Sequence, residues 1–450
     1  MRPTARACAL AGGLALAACT PRAPAPPHPS YAYVVTPPAE GSWGLQVEAT
    51  LEHAPSDRLV LPEADGAVSV DPHEDCRSRC VVRYRVDLAE VASRCMRMDC
   101  ARRVGEAILG RASVFLLRPE PLGDASLHVR IAGPDAARMV TGLRRDGSGG
   151  YAFEAWQLGE APFTAFGAAR VHEVPLQGAR LEVALLGAPL AMGDEAEVDF
   201  VRQSAAAVAG LYGRFPVDAT VFAVPVPGAD EVVFGRVMSL AGASVALLFG
   251  DQTPAAGVRD NWVVVHELFH LSTPSFVGEG HWLEEGLATY YEPILRERAG
   301  WMTEADLWAH FVREMPRGLR AASDEPSLED RDDIDSTYWG GALFALLADV
   351  RTRAASARSL DDALRALLVQ AGDATHGARV QDFLRIAGQA TGNGEIREAY
   401  DEWAVAGKNP DLAALWRDLG VVPDPQGKVS LRDEAPLASV RKAIAASALH

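Results

Sequence analysis

The chain has 450 residues, of which 48% are hydrophobic, and this is enough for two or three packed domains. Its formal net charge of −17 argues against nucleic acid or an anionic membrane surface as a partner, because both carry negative charge. It contains neither a P-loop nor a dinucleotide-binding glycine pattern.

The N-terminus is typical of an export signal. Two arginines precede an apolar run, residues 7–18, that is too short to span a bilayer. The run ends in Leu-Ala-Ala-Cys at Cys19, which resembles a bacterial lipobox. That resemblance implies cleavage before Cys19 and lipidation of this cysteine, which would anchor the body to the membrane. Thr20 stands where an aspartate would signal inner-membrane retention, so we expect the outer membrane. The alternative is an ordinary secreted protein with a chance cysteine.

Residues 19–41 are rich in proline and predict an extended tether. Residues 42–190 contain short apolar runs broken by Gly, Pro and Asp, which predict an antiparallel β domain with a helical insert near residues 87–101.

Four cysteines of the predicted β domain remain after the export signal. An exported protein meets an oxidising compartment, so we expect two disulfides, with three connectivities open. The rival is a four-cysteine zinc site, but the spacings are looser than usual for one. The four cysteines are Cys76, Cys80, Cys95 and Cys100.

Residues 191–408 are predicted to form a further domain, which opens with a helical pattern from Asp194. Candidate strands follow at 220–226, 231–238 and 244–249. This order of a helix and a small sheet before the next helix resembles the upper lobe of thermolysin-like enzymes, and the resemblance implies an edge strand beside a cleft, to which an extended peptide could add by backbone pairing. Ser244 to Phe249 is the first candidate and Gly235 to Met238 the second.

The central motif is HExxH, His266-Glu267-Leu268-Phe269-His270. On a helix, His266 and His270 lie one turn apart on the same face, where two imidazole nitrogens can bind one Zn²⁺. Glu267 can then reach the water that the metal holds. The alternative is a buried helix with two hydrogen-bonded core histidines.

A zinc site needs a third protein ligand, and we assign Glu285 in the apolar-periodic run that begins at Trp282. Glu284 and His281 are competitors. Thr289, four residues after Glu285, is a candidate hydrogen-bond acceptor for a ligand histidine. One zinc per chain is expected, although two histidines and a carboxylate accept other divalent ions.

The chain after Pro293 is predicted to be mostly helical. An acidic run, residues 323–335, predicts a solvated loop, with a calcium site as the alternative. Residues 409–450 form a short extension, predicted as β-turn-β and a final helix. The candidate helices of the domain are Glu304–Met315, Tyr338–Arg353, Leu360–Gln370, Arg379–Thr391 and Ile396–Ala404.

The pattern Trp-x-x-Glu-Gly-x-Ala at residues 282–288, after HExxH, resembles the gluzincin metallopeptidases. Residues 194–404 resemble the glycyl-aminopeptidase family and, more loosely, the membrane alanyl-aminopeptidase family; a second matching stretch begins at Tyr338 with Tyr-x-x-Gly-Ala-Leu. The resemblance implies an α+β multidomain fold, with the β domain followed by a thermolysin-like domain of mixed upper lobe and helical lower lobe.

The resemblance also implies a role for each matching residue. His266, His270 and Glu285 would bind zinc. Glu267 would act as general base and then as proton donor to the leaving amine. Tyr338 would hydrogen-bond the oxyanion, with Tyr290 and Tyr291 as competitors.

The sequence departs from the family in its spacing and in one motif. Only fourteen residues separate His270 from Glu285. No Gly-x-Met-Glu-Asn run precedes HExxH, and in the alanyl-aminopeptidases that glutamate binds the free amine. Aminopeptidase and endopeptidase activity therefore both stay open.

The predicted function is an envelope-anchored, zinc-dependent peptidase acting on peptides or proteins. One alternative is a catalytically inactive gluzincin-fold lipoprotein that serves as a binding or assembly module. Another is a glycan- or protein-binding β domain with a hydrolase attached.

Overall fold

The computed structural model describes residues 28–95, 100–278, 280–320, 327–331 and 333–446. Within those ranges, no helix combines the length and the apolarity that crossing a membrane requires. The predicted signal peptide, Cys19 and the start of the predicted tether lie outside the described residues.

The first half of the chain builds the predicted β domain. One sheet has the strand order β11-β9-β1-β2-β5-β4, a second has the order β10-β12-β7-β6, and β3 pairs with β8. The short helix α1 spans Leu88–Arg94. The strands are β1 Ser30–Thr36, β2 Gly44–Glu52, β3 Leu59–Val60, β4 Val68–Val70, β5 Arg79–Asp87, β6 Ala101–Val104, β7 Ala107–Arg111, β8 Arg118–Pro119, β9 Ser126–Ile131, β10 Met139–Thr141, β11 Tyr151–Glu154 and β12 Phe163–Gly167.

Strand β1 differs from the prediction in two ways. It lies in the segment expected to be a tether, because Tyr31, Tyr33 and Val35 alternate with more exposed residues and are buried, as one face of a strand requires. It also pairs in parallel with β9, so the domain is not purely antiparallel.

Both expected disulfides are present in the β domain. Cys76 bonds to Cys80 and Cys95 bonds to Cys100, so each bridge closes a short local loop. The cysteines are therefore not a four-ligand zinc site.

The upper lobe of the second half is a mixed sheet with the order β13-β14-β15-β17-β16. The β13–β14 hairpin was expected in the β domain, but β14 pairs in parallel with β15 and joins this sheet. Helix α2, Asp194–Tyr212, packs on it. The strands are β13 Ala169–Leu176, β14 Ala179–Leu186, β15 Ala219–Val226, β16 Val232–Met238 and β17 Ser244–Gly250.

The edge strand beside the zinc motif is β16, the second candidate. The first candidate, Ser244 to Phe249, is wrong because β17 lies between β15 and β16 and is buried along its whole length. Strand β16 pairs with β17 on one side only, so its other side offers unpaired backbone groups.

The lower lobe is helical, and its helices begin and end close to the predicted residues. Strands β18 and β19 pair with each other, and β20 and β21 form the predicted C-terminal hairpin. The elements are α3 Val263–His270, β18 Ser275–Phe276, α4 His281–Arg298, α5 Glu304–Glu314, α6 Gly341–Ala355, α7 Leu360–Ala371, β19 Gly377–Ala378, α8 Val380–Thr391, α9 Glu395–Ala399, α10 Leu412–Leu419, β20 Val421–Pro423, β21 Val429–Leu431 and α11 Ala438–Ala445.

Three apolar cores hold these layers together. One fills the β domain, and one joins α2, the inner face of the mixed sheet and the lower lobe. The third, which includes Phe163 and Phe222, packs the second sheet of the β domain on the outer face of the mixed sheet. A pocket lies between the edge strand β16 and helices α3 and α4.

Candidate active site

The HExxH segment forms helix α3, whose start is fastened to the edge strand. The Asn261 Oδ1 accepts a hydrogen bond from the amide of Val263 at 3.0 Å, and its Nδ2 donates to the carbonyl oxygen of Val232 at 2.9 Å. His266 and His270 follow one turn apart and are 2% and 6% exposed. Both imidazoles are therefore held in the protein interior, facing helix α4.

Helix α4 brings Glu285 to the two histidines. Its Oε2 lies 3.1 Å from the Nε2 of His266 and 3.4 Å from the Nε2 of His270, and the two Nε2 atoms are 3.2 Å apart. A tetrahedral zinc with bonds of about 2.0–2.1 Å places its ligand atoms about 3.3 Å apart. The triangle of donor atoms thus has the size of one face of such a tetrahedron, and these residues fit a zinc ion.

The two competitors for the third ligand position take other places. The Oε2 of Glu284 accepts a hydrogen bond from the amide of Phe276 at 3.3 Å, which ties it to β18. His281 begins α4 and lines the pocket beside the site. Neither belongs to the group of three converging donor atoms that Glu285 completes.

The charges of this group are strongly coupled. Burial opposes ionisation of Glu285, but the charge of His270 and hydrogen bonds from both histidines hold its pKa far below the usual range. Burial likewise disfavours the charged form of His270, yet the charge of Glu285 and its hydrogen bond raise the pKa to about 9. A proton and a metal ion compete for the same nitrogen, so metal binding here must weaken as the pH falls.

Glu267 lies beside the candidate metal ligands and is partly buried in the wall of a pocket. Burial raises the pKa of its carboxyl to about 7, with the charge of His270 opposing the shift. A carboxyl group whose pKa lies near neutral pH can both take and return a proton. This is the property that a general base, and later a general acid, requires.

A glycine of the edge strand makes room for Glu267. A Cβ built on Gly235 would lie only 2.2 Å from the Cγ of Glu267. Glycine inside a strand marks a close approach of another group to the backbone, and here that group is the proposed base. Gly235 can be recognised in the sequence as a glycine inside a strand. Its contact with Glu267 could not be predicted without knowing the order of the strands in the sheet.

Tyr338 reaches the site from the lower lobe. It lies in a π-helical turn, Asp335–Gly340, that precedes α6. Its ring stacks on His266, with ring centroids 5.9 Å apart and planes inclined by 14°. Burial and the charges of Glu285 and Glu267 raise the pKa of Tyr338, so its hydroxyl keeps its proton and can donate it in a hydrogen bond.

The competing tyrosines are core residues. Tyr290 and Tyr291 are fully buried and donate to Asp349 and Asp361 at 2.9 and 2.8 Å. The suggested contact of Thr289 with a ligand histidine is not formed: in the described part of the chain, the Thr289 hydroxyl and both histidine Nδ1 atoms lack a protein hydrogen-bond partner.

A pocket of about 330 Å³ opens over these groups. Two of its wall residues come from segments distant in the chain and could not be predicted from the sequence, Arg236 from β16 and Glu160 from the β domain. Trp262, just before α3, also lines it. Trp262 and Phe234 are each 47% exposed, so the mouth of the pocket is partly apolar.

In its described part, residues 327–331 and 333–335, the acidic run contains no group of converging side chains that could hold a metal ion such as calcium. Asp335 forms an ion pair with Arg317 at 2.6 Å, and Asp333 pairs with Arg331 at 3.1 Å. The remainder of that prediction falls on residues outside the description.

Comparisons with known proteins establish the fold. No protein-family model and no curated protein matches the chain. Among solved structures, an aminopeptidase N family protein from Idiomarina loihiensis has a TM-score of 0.63 at 17% identity, over 90% of this chain and 82% of that one. An M1 zinc metallopeptidase from Deinococcus radiodurans has a TM-score of 0.48 at 14% identity, over 86% of this chain and 95% of that one. The chain thus has an aminopeptidase-like fold with an N-terminal β-rich domain and a helical region.

Proposed function

We propose that this protein is a zinc-dependent peptidase. The observation that carries the proposal is the triangle of His266, His270 and Glu285 donor atoms, with the partly buried Glu267 beside it. Two imidazoles and one carboxylate form a known catalytic zinc set, and a tetrahedral ion so bound keeps one position open. The fold shared with an aminopeptidase N family protein supports the same reading.

Zinc at this site would polarise a substrate carbonyl and lower the pKa of a bound water to about 7. The chain's own residues divide the remaining work. Glu267 accepts a proton from the attacking water and returns it to the leaving amine, which its pKa near 7 permits. Tyr338, which stays neutral, donates a hydrogen bond to the carbonyl oxygen as negative charge develops there.

The edge strand supplies the means to hold a peptide. The free side of β16 can pair with an extended substrate backbone, while Gly235 lets that strand lie against Glu267. Backbone pairing fixes the register of a peptide without reading its side chains. The scissile carbonyl would therefore be presented beside the base and the metal site.

The alternative of an inactive binding module gains no support from the site. Such a module has no need of a carboxylate base beside three converging metal-binding side chains. All four side chains of that constellation are present; the two histidines are buried, and Glu267 and Glu285 are partly buried.

Digestion of a mixed peptide library by the zinc-loaded soluble protein tests the proposal. Glu267→Gln is the matched control, because it keeps the shape of the side chain and the metal ligands but removes the base. We expect cleavage by wild type and almost none by the variant at equal zinc content. Intact peptides after wild-type digestion, or equal cleavage by the variant, would overturn the peptidase function. Libraries with free and acetylated N-termini distinguish aminopeptidase from endopeptidase activity.

We also propose that lipid at Cys19 anchors the protein to the bacterial envelope, on the outer membrane. Support comes from the apolar run at residues 7–18 and the Leu-Ala-Ala-Cys that ends it. Mass spectrometry of the N-terminal peptide from a membrane fraction should find an acylated Cys19, and Cys19→Ala should abolish that peptide. An unmodified N-terminus at another residue would contradict the anchor.

A further inference from the structure

The pocket over the candidate metal site contains few charged groups that are still free to bind a substrate. Glu267 and Glu285 belong to the proposed catalytic machinery, and Glu284 is bound to the amide of Phe276. The other charged residues of the pocket wall are exposed: Glu160 from the β domain and Arg236 from the edge strand.

Arg236 lies on the edge strand and lines the pocket. It follows Gly235, the residue that lies against Glu267, and because side chains alternate along a strand its own side chain leaves β16 on the other face, on the side of the β domain. Its side chain is exposed, and no described residue holds the guanidinium by a hydrogen bond or an ion pair within 4 Å.

Arg236 lines the same pocket as Glu267 and Tyr338, and the backbone of the residue before it lies against Glu267. Successive residues of an extended peptide advance by only about 3.3 Å, so Arg236 is within reach of groups one or two residues from the scissile bond.

Glu160 does not neutralise this arginine. Its carboxylate lies on the wall contributed by the β domain and forms no ion pair with Arg236 within 4 Å. A substrate carboxylate is thus the natural partner for the guanidinium, whose planar donors match the two oxygens of a carboxylate.

We propose that Arg236 is a specificity-determining residue that binds a carboxylate of the substrate close to the scissile bond. This inference rests on the proposed peptidase function and names its substrate class: peptides with a carboxylate within one or two residues of the cleaved bond. That carboxylate has two sources, an aspartate or glutamate side chain and the C-terminus of a short peptide.

Matched fluorogenic peptides separate the two sources. One series carries Glu or Gln at each position on either side of the cleaved bond, with both ends blocked. A second series has the same neutral sequence ending in a free carboxylate or an amide. We expect wild type to favour the carboxylate member of one matched pair by about 10- to 100-fold in kcat/KM, as hydrogen bonds to charged groups supply.

Arg236→Gln should reduce that preference to about one, mainly through KM, and Arg236→Lys should retain part of it. Arg202→Gln, an exposed arginine of α2 outside the pocket, is the control and should keep the wild-type preference. Zinc content of each variant shows that the site is intact.

The failures of the two proposals are distinguishable. Equal cleavage of every carboxylate and neutral pair by wild type, or a preference that survives in Arg236→Gln, overturns the role of Arg236 alone. If zinc-loaded wild type cleaves no peptide of either series or of the mixed library, the peptidase function falls, and this inference falls with it.

Discussion

Gly286 and Gly341 are in direct backbone contact where α4 crosses the start of α6. A Cβ on Gly286 would lie 2.3 Å from the carbonyl carbon of Gly341, and a Cβ on Gly341 would lie 2.7 Å from the Cα of Gly286. Glu285 directly precedes the first glycine, and Tyr338 is three residues before the second. The contact therefore sets the distance between a predicted zinc ligand and the proposed oxyanion donor.

A methyl group at this crossing should disturb both stability and chemistry. Gly286→Ala forces the helices apart, and we expect a loss of about 1–3 kcal/mol in the free energy of unfolding, measured by denaturant titration. The control is Gly210→Ala in α2, where an added Cβ meets no atom within 4 Å. That variant should be unchanged or more stable, since alanine favours helix over glycine. Equal stability of Gly286→Ala and wild type would refute the tight crossing.

Gly235→Ala should damage catalysis while sparing the metal site. The new Cβ would collide with Glu267 and displace its side chain, since the three nearest atoms to that Cβ all belong to Glu267. Because misplacement of a catalytic group by about 1 Å can cost about 10²-fold, we expect kcat to fall by a factor of that order. Zinc content should stay at the wild-type level. A variant with full activity would show that Glu267 does not need its present position.

Tyr338→Phe removes one hydroxyl from the site. If that hydroxyl donates to the developing oxyanion, kcat should fall about 10²- to 10³-fold with little change in KM, zinc content or stability.

Tyr290→Phe provides the contrast to this variant. It removes the hydrogen bond to the buried Asp349 and should lower the free energy of unfolding by about 1–3 kcal/mol without lowering kcat of the folded protein. A similar kcat for Tyr338→Phe and wild type would exclude the tyrosine from the reaction.

Glu197 should make stability depend on pH. It is 2% exposed on α2; burial, then the charge of Asp194, raise the pKa of its carboxyl to about 7, while Arg170 opposes the shift. The unfolded chain loses this proton near pH 4.3, so the folded state binds more protons between about pH 4.3 and 7. The protonated Glu197 carboxyl therefore adds its full contribution to the free energy of unfolding below about pH 4.3. That contribution is lost as the pH rises through about 7.

Glu197→Gln should remove this dependence. In the metal-free proteins, we expect equal unfolding free energies near pH 4 and a variant more stable by up to about 3 kcal/mol at pH 8. Denaturant titrations across this range measure the difference. Parallel pH profiles for the two proteins would show that the carboxyl ionises without penalty.

The local parts of the site were predictable from the sequence, whereas the parts made by distant segments were not. His266 and His270 share a helix face by periodicity alone, and the helices of the lower lobe follow from apolar spacing over ten or more residues. The order of strands in a sheet depends on contacts far apart in the chain. Ser244 to Phe249 therefore resembled an edge strand until its pairing with β15 and β16 was seen.

The dependence of strand pairing on distant segments also explains why β1 was predicted as part of the tether and β14 as part of the β domain. The alternation in Ser30–Thr36 was present in the sequence, but neighbouring prolines suggested a tether. Nothing local distinguishes β14 from the strands of the β domain, because its parallel partner β15 lies beyond α2. The contact of Gly235 with Glu267 joins two segments in the same way.

The zinc content of the soluble protein beginning at Thr20 tests the central claim most directly. Plasma mass spectrometry should find about one zinc per wild-type chain and strongly reduced zinc in Glu285→Ala. Glu284→Ala, which alters the adjacent carboxylate bound to Phe276, should retain the metal. If wild type binds no stoichiometric divalent ion after reconstitution, then His266 and His270 are core residues and the peptidase account is wrong.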